Sequence, residues 1–293
     1  MAETSTATTV LGHDVSLPLL VAPVAFLRMV HVDGELGLAR AARDVGTVMC
    51  LSTLTTEAPA EVGAIGGQRW FQLYVFRDPG LTSSLVEQAR EFGFTALVLT
   101  VDVPLGGRRE RDLRSGFSIA QGVEIASLGR GGVTPAEAFS QLSPSVTWAD
   151  VERFASTAGL PVLLKGVLSA EDARLAVEHG AAGIVVSNHG GRQLDGVAAT
   201  LDCLPECVEA VEGRMEVLID GGIRRGIDVV KALALGATAA LAGRPLVWGL
   251  AAEGEAGARR VLELLREEVR LALALLGCTS PSGVRRDHVV RRG

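Results

Sequence analysis

The chain alternates short apolar runs with longer stretches in which apolar and polar positions repeat with a helical period. Runs of this kind, rich in Val, Ile and Leu and bounded by turn residues, are typical of buried parallel strands. Eight strands are predicted, at residues 17–22, 48–51, 70–74, 96–101, 162–165, 183–186, 216–219 and 239–242. The clearest helical stretches lie at residues 34–45, 81–92, 170–179, 226–235 and 251–276.

Strands that alternate with helices favour a parallel sheet, and eight such units close a (β/α)8 TIM barrel, an α/β fold. The 293 residues, 48% hydrophobic, suit a single domain over the whole chain. Residues 116–145 interrupt the rhythm with a Gly-, Ser- and Pro-rich stretch, which predicts an irregular, lid-like insertion; a tolerated surface loop is the alternative. Residues 1–16 are expected to be poorly ordered or, at most, to form a small hairpin at the barrel mouth.

Composition narrows the possible partners and location. The net charge is -6 and basic residues form no block longer than short pairs, such as those at 285–286 and 291–292, so nucleic acid is not an expected partner. No apolar run approaches the roughly 18 residues of a membrane span. Four cysteines without CxxC spacing, and no leader sequence, predict reduced thiols and a cytoplasmic protein. No metal site is expected, because no cluster has metal-ligand spacing.

Polar residues directly after barrel strands face the active-site mouth, and here they suggest an anion site. IDGGIRRG at 219–226 and AGRP at 242–245 place glycines and arginines after the last two strands, the usual phosphate position of such barrels. Lys165 ends an apolar strand, so its ammonium needs an anionic partner. A reduced flavin ring would suit it, and a structural salt bridge to Asp220 is the alternative.

The stretch SNHGGRQLD follows the sixth strand and carries the candidate base, His189. Imidazole is the side chain most easily poised near neutral pH. Arg192, three residues on, and Arg109 could hold a carboxylate from two sides, the geometry that guanidinium favours. Together with Tyr74 these residues predict an anionic substrate. Taken alone, Arg109 would be interpreted as a solvent-exposed charge.

The motifs LPLLVAPVAF, WFQLYVFRD, LTVDVP, GRRERD, LPVLLKGV and GIVVSNHGGRQLD, in this order, resemble the FMN-dependent 2-hydroxy acid oxidase and dehydrogenase family. With IDGGIRRGIDVVKALALGA and GRPLVWGLAAEGEAG, the resemblance runs from about residue 8 to residue 277. It implies FMN, with Lys165 near the flavin N1, and places Tyr74, Arg109, His189 and Arg192 at catalytic and substrate positions. The other cofactor contacts it implies are Pro23, Val24, Ala25, Ser52, Gln72, Thr100, Asp220, Gly222, Arg224, Gly243 and Arg244.

The implied reaction is oxidation of an L-2-hydroxy acid to the 2-oxo acid, with dioxygen or another acceptor reoxidising the flavin. Removal of the hydroxyl proton with hydride loss, and removal of the α-proton first, both fit His189 as base. Leu54 and Gly106 are smaller than their counterparts in relatives that act on small acids, which suggests a bulky or aryl substrate. Ala25 hints at an oxidase, and the family tends to homotetramers.

One departure from the family keeps two other interpretations open. Relatives usually carry a further amino-terminal segment that brings a tyrosine to the substrate, and this sequence starts where that segment would end. Tyr74 is its only tyrosine. A catalytically impaired flavin-binding remnant is therefore one alternative. A non-redox flavin barrel isomerase is the other, which Arg109, His189 and Arg192 disfavour because they fit a carboxylate.

Overall fold

The computed structural model describes residues 4–120, 122–129 and 133–290. Eight parallel strands form a closed barrel in which each strand pairs with the next along the chain and the last pairs with the first. The strands are β3 (Leu19–Val21), β4 (Met49–Ser52), β5 (Arg69–Leu73), β6 (Leu97–Thr100), β7 (Val162–Val167), β8 (Gly183–Val186), β9 (Glu216–Ile219) and β10 (Ala239–Ala242). The predicted (β/α)8 barrel and its eight strands are confirmed.

Helices connect the strands on the outside of the barrel. They are α1 (Gly34–Val45), α2 (Pro59–Ala64), α3 (Pro79–Glu91), α4 (Glu110–Ser115), α5 (Pro135–Ser140), α6 (Trp148–Thr157), α7 (Ala170–Glu178), α8 (Thr200–Val211), α9 (Gly226–Ala234) and α10 (Arg244–Leu275). Single turns of 3-10 helix occur at Leu27–Met29, Ala126–Leu128, Pro281–Gly283 and Arg286–His288. Each barrel strand is followed by at least one helix, and because the barrel strands are parallel, their carboxyl ends all lie at the same end of the barrel.

The last helix is longer than its sequence pattern predicts. It begins at Arg244 rather than at residue 251, because Pro245 at its first turn fits the fixed dihedral of a helix start. Its backbone breaks at Glu253 and Gly254, where Asp33 accepts a hydrogen bond of 2.9 Å from the Glu255 amide. Gly254 has a φ of +57°, and a Cβ there would overlap the Asp33 carboxylate, so the break requires glycine.

The amino-terminal residues do form a hairpin, β1 (Thr8–Val10) and β2 (His13–Val15), but the predicted position at the mouth is wrong. Val10 and Val15 are buried against the barrel interior. The Leu11 amide donates to Glu216, the first residue of β9, over 2.9 Å. The hairpin therefore closes the amino-terminal end of the barrel, because its two apolar side chains cover an interior that would otherwise meet water.

Residues 116–145 contain more regular structure than the Gly-, Ser- and Pro-rich sequence suggests. The Ala126–Leu128 turn docks on the barrel, with the Ser127 hydroxyl donating to the Thr53 carbonyl over 2.5 Å. Ile125 and Ala138 are fully buried and anchor the segment. Two isolated buried residues produce no apolar repeat in the sequence, which is why the pattern did not reveal them. Residues 121 and 130–132 lie outside the described residues. Among the described residues no helix is long and apolar enough to cross a membrane.

Candidate active site

A cavity of about 440 Å³ opens at the carboxyl ends of the barrel strands. This volume lies in the range of small-molecule and cofactor sites, and the carboxyl end is where such barrels bind ligands. All the site residues predicted from the sequence line it: Pro23, Val24, Ala25, Ser52, Gln72, Tyr74, Thr100, Arg109, Lys165, His189, Arg192, Asp220, Gly222, Arg224, Gly243 and Arg244. The barrel thus brings together residues that are more than 200 positions apart in the chain.

Three buried polar side chains join adjacent strands across one wall of the cavity. The Gln72 amide nitrogen donates to the Thr100 hydroxyl over 3.0 Å. The side-chain oxygen of Gln72, Oε1, accepts from the Ser52 hydroxyl, 3.2 Å away, and from the Thr53 backbone amide at the same distance. Because each partner is fixed by another, the wall presents a rigid row of polar groups to a ligand.

Lys165 and Asp220 form a buried ion pair at the centre of the cavity floor. The Lys165 Nζ lies 3.1 Å from the Asp220 Oδ2 and donates to the Ser187 hydroxyl over 3.1 Å. Burial alone would lower the pKa of Lys165, but the charges of Asp220 and Asp102 outweigh it and raise that pKa. The salt bridge predicted as an alternative is therefore present. The other Asp220 oxygen is buried and has no hydrogen-bond partner among the described residues, which leaves an acceptor for a ligand hydroxyl.

The loops after β9 and β10 have the features expected of a phosphate site. Gly222 has a φ of +83° and open space where a Cβ would stand. Gly243 immediately precedes α10, so the positive end of the helix dipole faces the cavity. The Arg244 guanidinium lines the same cavity and donates to the Gly190 carbonyl over 3.0 Å. Arg224 lies alongside, and Asp228 fixes its loop by accepting from the Arg224 amide.

His189 is held by a strained backbone and by a carboxylate. Its φ of +55° is left-handed and is followed by positive φ values at Gly190 and Gly191, so the two glycines let the chain reverse directly under the imidazole. Nδ1 of His189 lies 3.0 Å from Oδ1 of Asp102. Since a carboxylate only accepts, Nδ1 carries the proton and the lone pair is left on Nε2.

Asp102, which contacts the candidate base, is a residue that the sequence analysis did not single out. It lies within the LTVDVP motif, directly after the fourth barrel strand. The signal that could have found it was position, since Asp102 and His189 follow strands separated by only one other strand of the barrel. The Asp102 carboxylate lies close enough to balance the charge of an imidazolium at His189. The second Asp102 oxygen is buried without a partner among the described residues.

Tyr74, Arg109 and Arg192 surround the space beside the imidazole. Tyr74 is 9% exposed, and its pKa is raised by burial and by the negative charge of Asp102, against the opposing effect of the two arginines. Tyr74 therefore stays a hydrogen-bond donor at neutral pH. Burial and the nearby charge of Arg109 lower the pKa of Arg192. Two guanidinium groups that repel each other over a cavity are suited to share an anion.

An apolar wall completes the cavity opposite the charged groups. The segment after α4 contributes Phe117 and Ile119, and α5 contributes Phe139. Leu54 is buried at the base, and Gly106 has nothing within 4 Å of where a Cβ would stand. The wall thus leaves space next to the arginines that a larger residue at 106 would fill.

Comparison with known proteins agrees with this site. The family model described as FMN-dependent dehydrogenase matches residues 1–291. The chain belongs to this family. An L-lactate oxidase of Nostoc sp. is 49% identical over 95% of this chain and 81% of its own length. Glycolate oxidase 3 of Arabidopsis thaliana is 48% identical over 97% of this chain and 80% of its own length. A solved mandelate oxidase, 49% identical, superposes with a TM-score of 0.92 over 97% of this chain and 82% of that structure.

The resemblance inferred from the sequence is confirmed, and the protein is an FMN-dependent enzyme of the 2-hydroxy acid oxidase and dehydrogenase group. The residues present fit the cofactor. The cavity combines an apolar wall and a polar wall with a glycine and arginine end, which suits an isoalloxazine ring, a ribityl chain and a phosphate. The unpartnered Asp220 oxygen suits a ribityl hydroxyl.

Proposed function

We propose that this protein oxidises an L-2-hydroxy acid with an aryl or other bulky substituent to the 2-oxo acid, with His189 as the base. The observation that carries the proposal is the contact between His189 and Asp102 beside Arg109, Arg192 and Tyr74 in one cavity. When bound, FMN supplies the two-electron acceptor for the reaction. The protein residues bind and orient the substrate and move its protons.

The substrate carboxylate is held by Arg109 and Arg192. Guanidinium groups give charge-assisted, paired hydrogen bonds to a carboxylate, and two of them fix its orientation as well as its position. The unpaired Nε of Arg109 is buried without a partner among the described residues, which is consistent with a ligand contact. Tyr74 donates its hydroxyl proton to a substrate oxygen in the same region.

His189 accepts a proton from the substrate, which is the hydroxyl proton if the α-hydrogen leaves as hydride and the α-proton if that proton leaves first. The Asp102 carboxylate holds Nδ1 protonated and leaves Nε2 to take the proton, after which the ring is a cation balanced by Asp102. Lys165, buried and cationic, adds positive charge where negative charge develops on the cofactor side. These roles are shared by the hydride and the carbanion routes.

The substituent on the α-carbon lies against the apolar wall. Leu54, Gly106 and Phe117 line the cavity and leave room for a ring. The structural likeness includes a mandelate oxidase solved with benzoyl-formic acid, at 49% identity and a TM-score of 0.90. Both points favour an aryl hydroxy acid over glycolate.

Dioxygen is the proposed final acceptor, because the relatives compared here are named as oxidases and Ala25 fits that subgroup. A cytoplasmic location, a homotetrameric assembly and a lid function for residues 116–145 stay predictions.

The proposal is tested by mixing the FMN-loaded protein with L-mandelate or L-lactate without air and following the visible flavin absorbance. Bleaching by L-mandelate, faster than by L-lactate, is expected, and colour that returns on admitting air identifies an oxidase. A bound flavin that stays yellow with every hydroxy acid would contradict the proposal and favour a flavin-binding protein without turnover. Faster bleaching by glycolate than by mandelate would contradict the aryl preference alone.

A further inference from the structure

Gln193 lies between the two loops that carry the substrate-facing residues. Its side-chain nitrogen donates to the Asp102 carbonyl over 2.9 Å and to the Leu105 carbonyl over 3.0 Å. Its side-chain oxygen accepts from the Gly107 amide over 3.3 Å. Both donors and the acceptor of the amide are thus used, and all three partners are backbone groups of the loop between β6 and α4. The reversed amide would place oxygen against two carbonyls, so only this orientation satisfies the site.

The backbones of the same two loops also lie in direct contact. A Cβ at Gly107 would overlap the carbonyl oxygen of Arg192 and stand 2.7 Å from the Cα of Gln193. Glycine is therefore required at 107 for the loops to approach, independently of the hydrogen bonds of Gln193. The loop that is clamped in this way carries Asp102 at its start and Arg109 at its end, and the clamping residue directly follows Arg192.

We propose that Gln193 is a positioning residue that fixes the distance between Arg109 and Arg192 and the alignment of Asp102 with His189. Its side chain also lines the cavity, but its amide group is bound to three backbone groups of the β6–α4 loop, so it acts through that backbone. The carbonyls of Asp102 and Leu105 and the amide of Gly107 have no other hydrogen bond in the described structure that would replace it. Loss of the amide frees the β6–α4 loop and lets Arg109 move away from the anion. The inference rests on the proposed role of the two arginines.

The test compares the Gln193→Ala and Gln193→Met proteins with a Leu194→Ala control. Leu194 is 76% exposed in the same loop, so its truncation should leave the hydrogen bonds of Gln193 intact. Gln193→Met keeps the side-chain length without the amide, so the test survives if the alanine protein fails to fold. The first readout is anaerobic flavin reduction by L-mandelate and by its neutral amide, 2-hydroxy-2-phenylacetamide. The second is hydrogen–deuterium exchange of the backbone amides at 103–109.

Both Gln193 variants are expected to lose about tenfold to a hundredfold in the efficiency of mandelate oxidation, since a displacement near 1 Å has effects of this size. The amide substrate, which has no carboxylate for the arginines, should lose much less, so the preference for the anion shrinks. Exchange at 103–109 should become faster, while the affinity for FMN stays close to that of the unmodified protein. The Leu194→Ala protein should show none of these changes.

A general loss of structure would lower the oxidation efficiency equally for L-mandelate and for its amide. An unchanged preference for L-mandelate over the amide would therefore overturn the inference. Unchanged exchange at 103–109 would also overturn it. The exchange readout does not depend on turnover. The unmodified protein could fail to oxidise any hydroxy acid while exchange at 103–109 still becomes faster in the Gln193 variants. In that case the proposed function is wrong, but Gln193 does hold the β6–α4 loop.

Discussion

The Nδ1 atom of His189 lies 3.0 Å from the Oδ1 atom of Asp102, across two loops that follow strands β8 and β6. The contact fixes which imidazole nitrogen carries the proton and turns the other toward the cavity. It joins a residue that the sequence motif identifies to one that the motif does not contain. Several expectations follow from this relationship and from the groups around it.

Replacing Asp102 with asparagine should slow flavin reduction by L-mandelate about a hundredfold, because the protonated ring loses its counter-charge. The KM for mandelate should change little, since Asp102 does not hold the carboxylate. Rapid-mixing absorbance measures both. Asp195→Asn, on the exposed part of the same loop as His189, is the matched control. Equal rates for Asp102→Asn and the unmodified protein would show that the carboxylate has no part in proton transfer.

Asp220→Asn should destabilise the cofactor-free protein by roughly 3 to 5 kcal/mol at neutral pH, because a buried lysine would lose its partner. The sign follows from the raised pKa of Lys165: the pair stabilises the fold below the ordinary lysine pKa, and this contribution is lost as the pH rises through the folded-state value. Urea unfolding measures the change. A further Lys165→Met substitution in the same protein should restore part of the loss, and a stable Asp220→Asn protein would contradict the assignment.

Glu216 gives a second prediction in which stability falls as the pH rises, here in the range where a carboxyl group titrates. Burial raises its pKa, although the Leu11 amide opposes this, so the charged form is the costly one in the folded protein. The free energy of unfolding therefore decreases as the pH rises from the ordinary pKa of a glutamate toward the raised pKa of Glu216. Glu216→Gln keeps an acceptor for Leu11 and should raise the Tm at pH 7 but not near pH 4. Glu212→Gln, at an exposed position, should leave the Tm unchanged at both pH values. A lower Tm for Glu216→Gln at pH 7 would contradict the prediction.

Gly106→Leu should move the preference from aryl to small hydroxy acids. Nothing lies within 4 Å of the Cβ position at Gly106, and Gly106 and Leu54 both line the cavity, so a leucine at 106 should reduce the space for the substituent. A few methyl and methylene groups in a pocket change selectivity by about 10- to 200-fold. The ratio of kcat/KM for L-mandelate to that for L-lactate measures the effect. Leu105→Ala, on the exposed neighbour, should leave the ratio unchanged; an unchanged ratio in Gly106→Leu would place the substituent elsewhere.

Much of the barrel and its cavity could be predicted because the relevant signals are local. A buried strand reads as a short apolar run, and the first polar residue after it lies at the mouth, which located Lys165, His189 and Asp220 correctly. The amino-terminal hairpin was placed at the wrong end because its position depends on Val10 and Val15 meeting the barrel interior, a long-range contact with no local signature. The start of α10 was missed because its first turn is set by the glycine and proline around Arg244 rather than by an apolar period.

The parts of the site that escaped the sequence are pairings between distant residues. Asp102 and His189 are 87 positions apart, and Gln193 contacts Leu105 across 88. Neither contact leaves a pattern in the chain, because each depends on how closely two loops approach after the barrel has closed. Lys165 and Asp220 were foreseen as a pair only because a buried ammonium requires a counter-charge and few acidic residues follow neighbouring strands.

The most direct test of the central claim is the rate of flavin reduction by L-mandelate in the FMN-loaded His189→Gln protein, measured by rapid mixing without air. His13→Gln, a substitution in the hairpin at the opposite end of the barrel, is the control. His189→Gln is expected to bind FMN but to reduce it about 10² to 10⁴ times more slowly, while His13→Gln matches the unmodified protein. Reduction by His189→Gln at the unmodified rate would show that His189 is not the base.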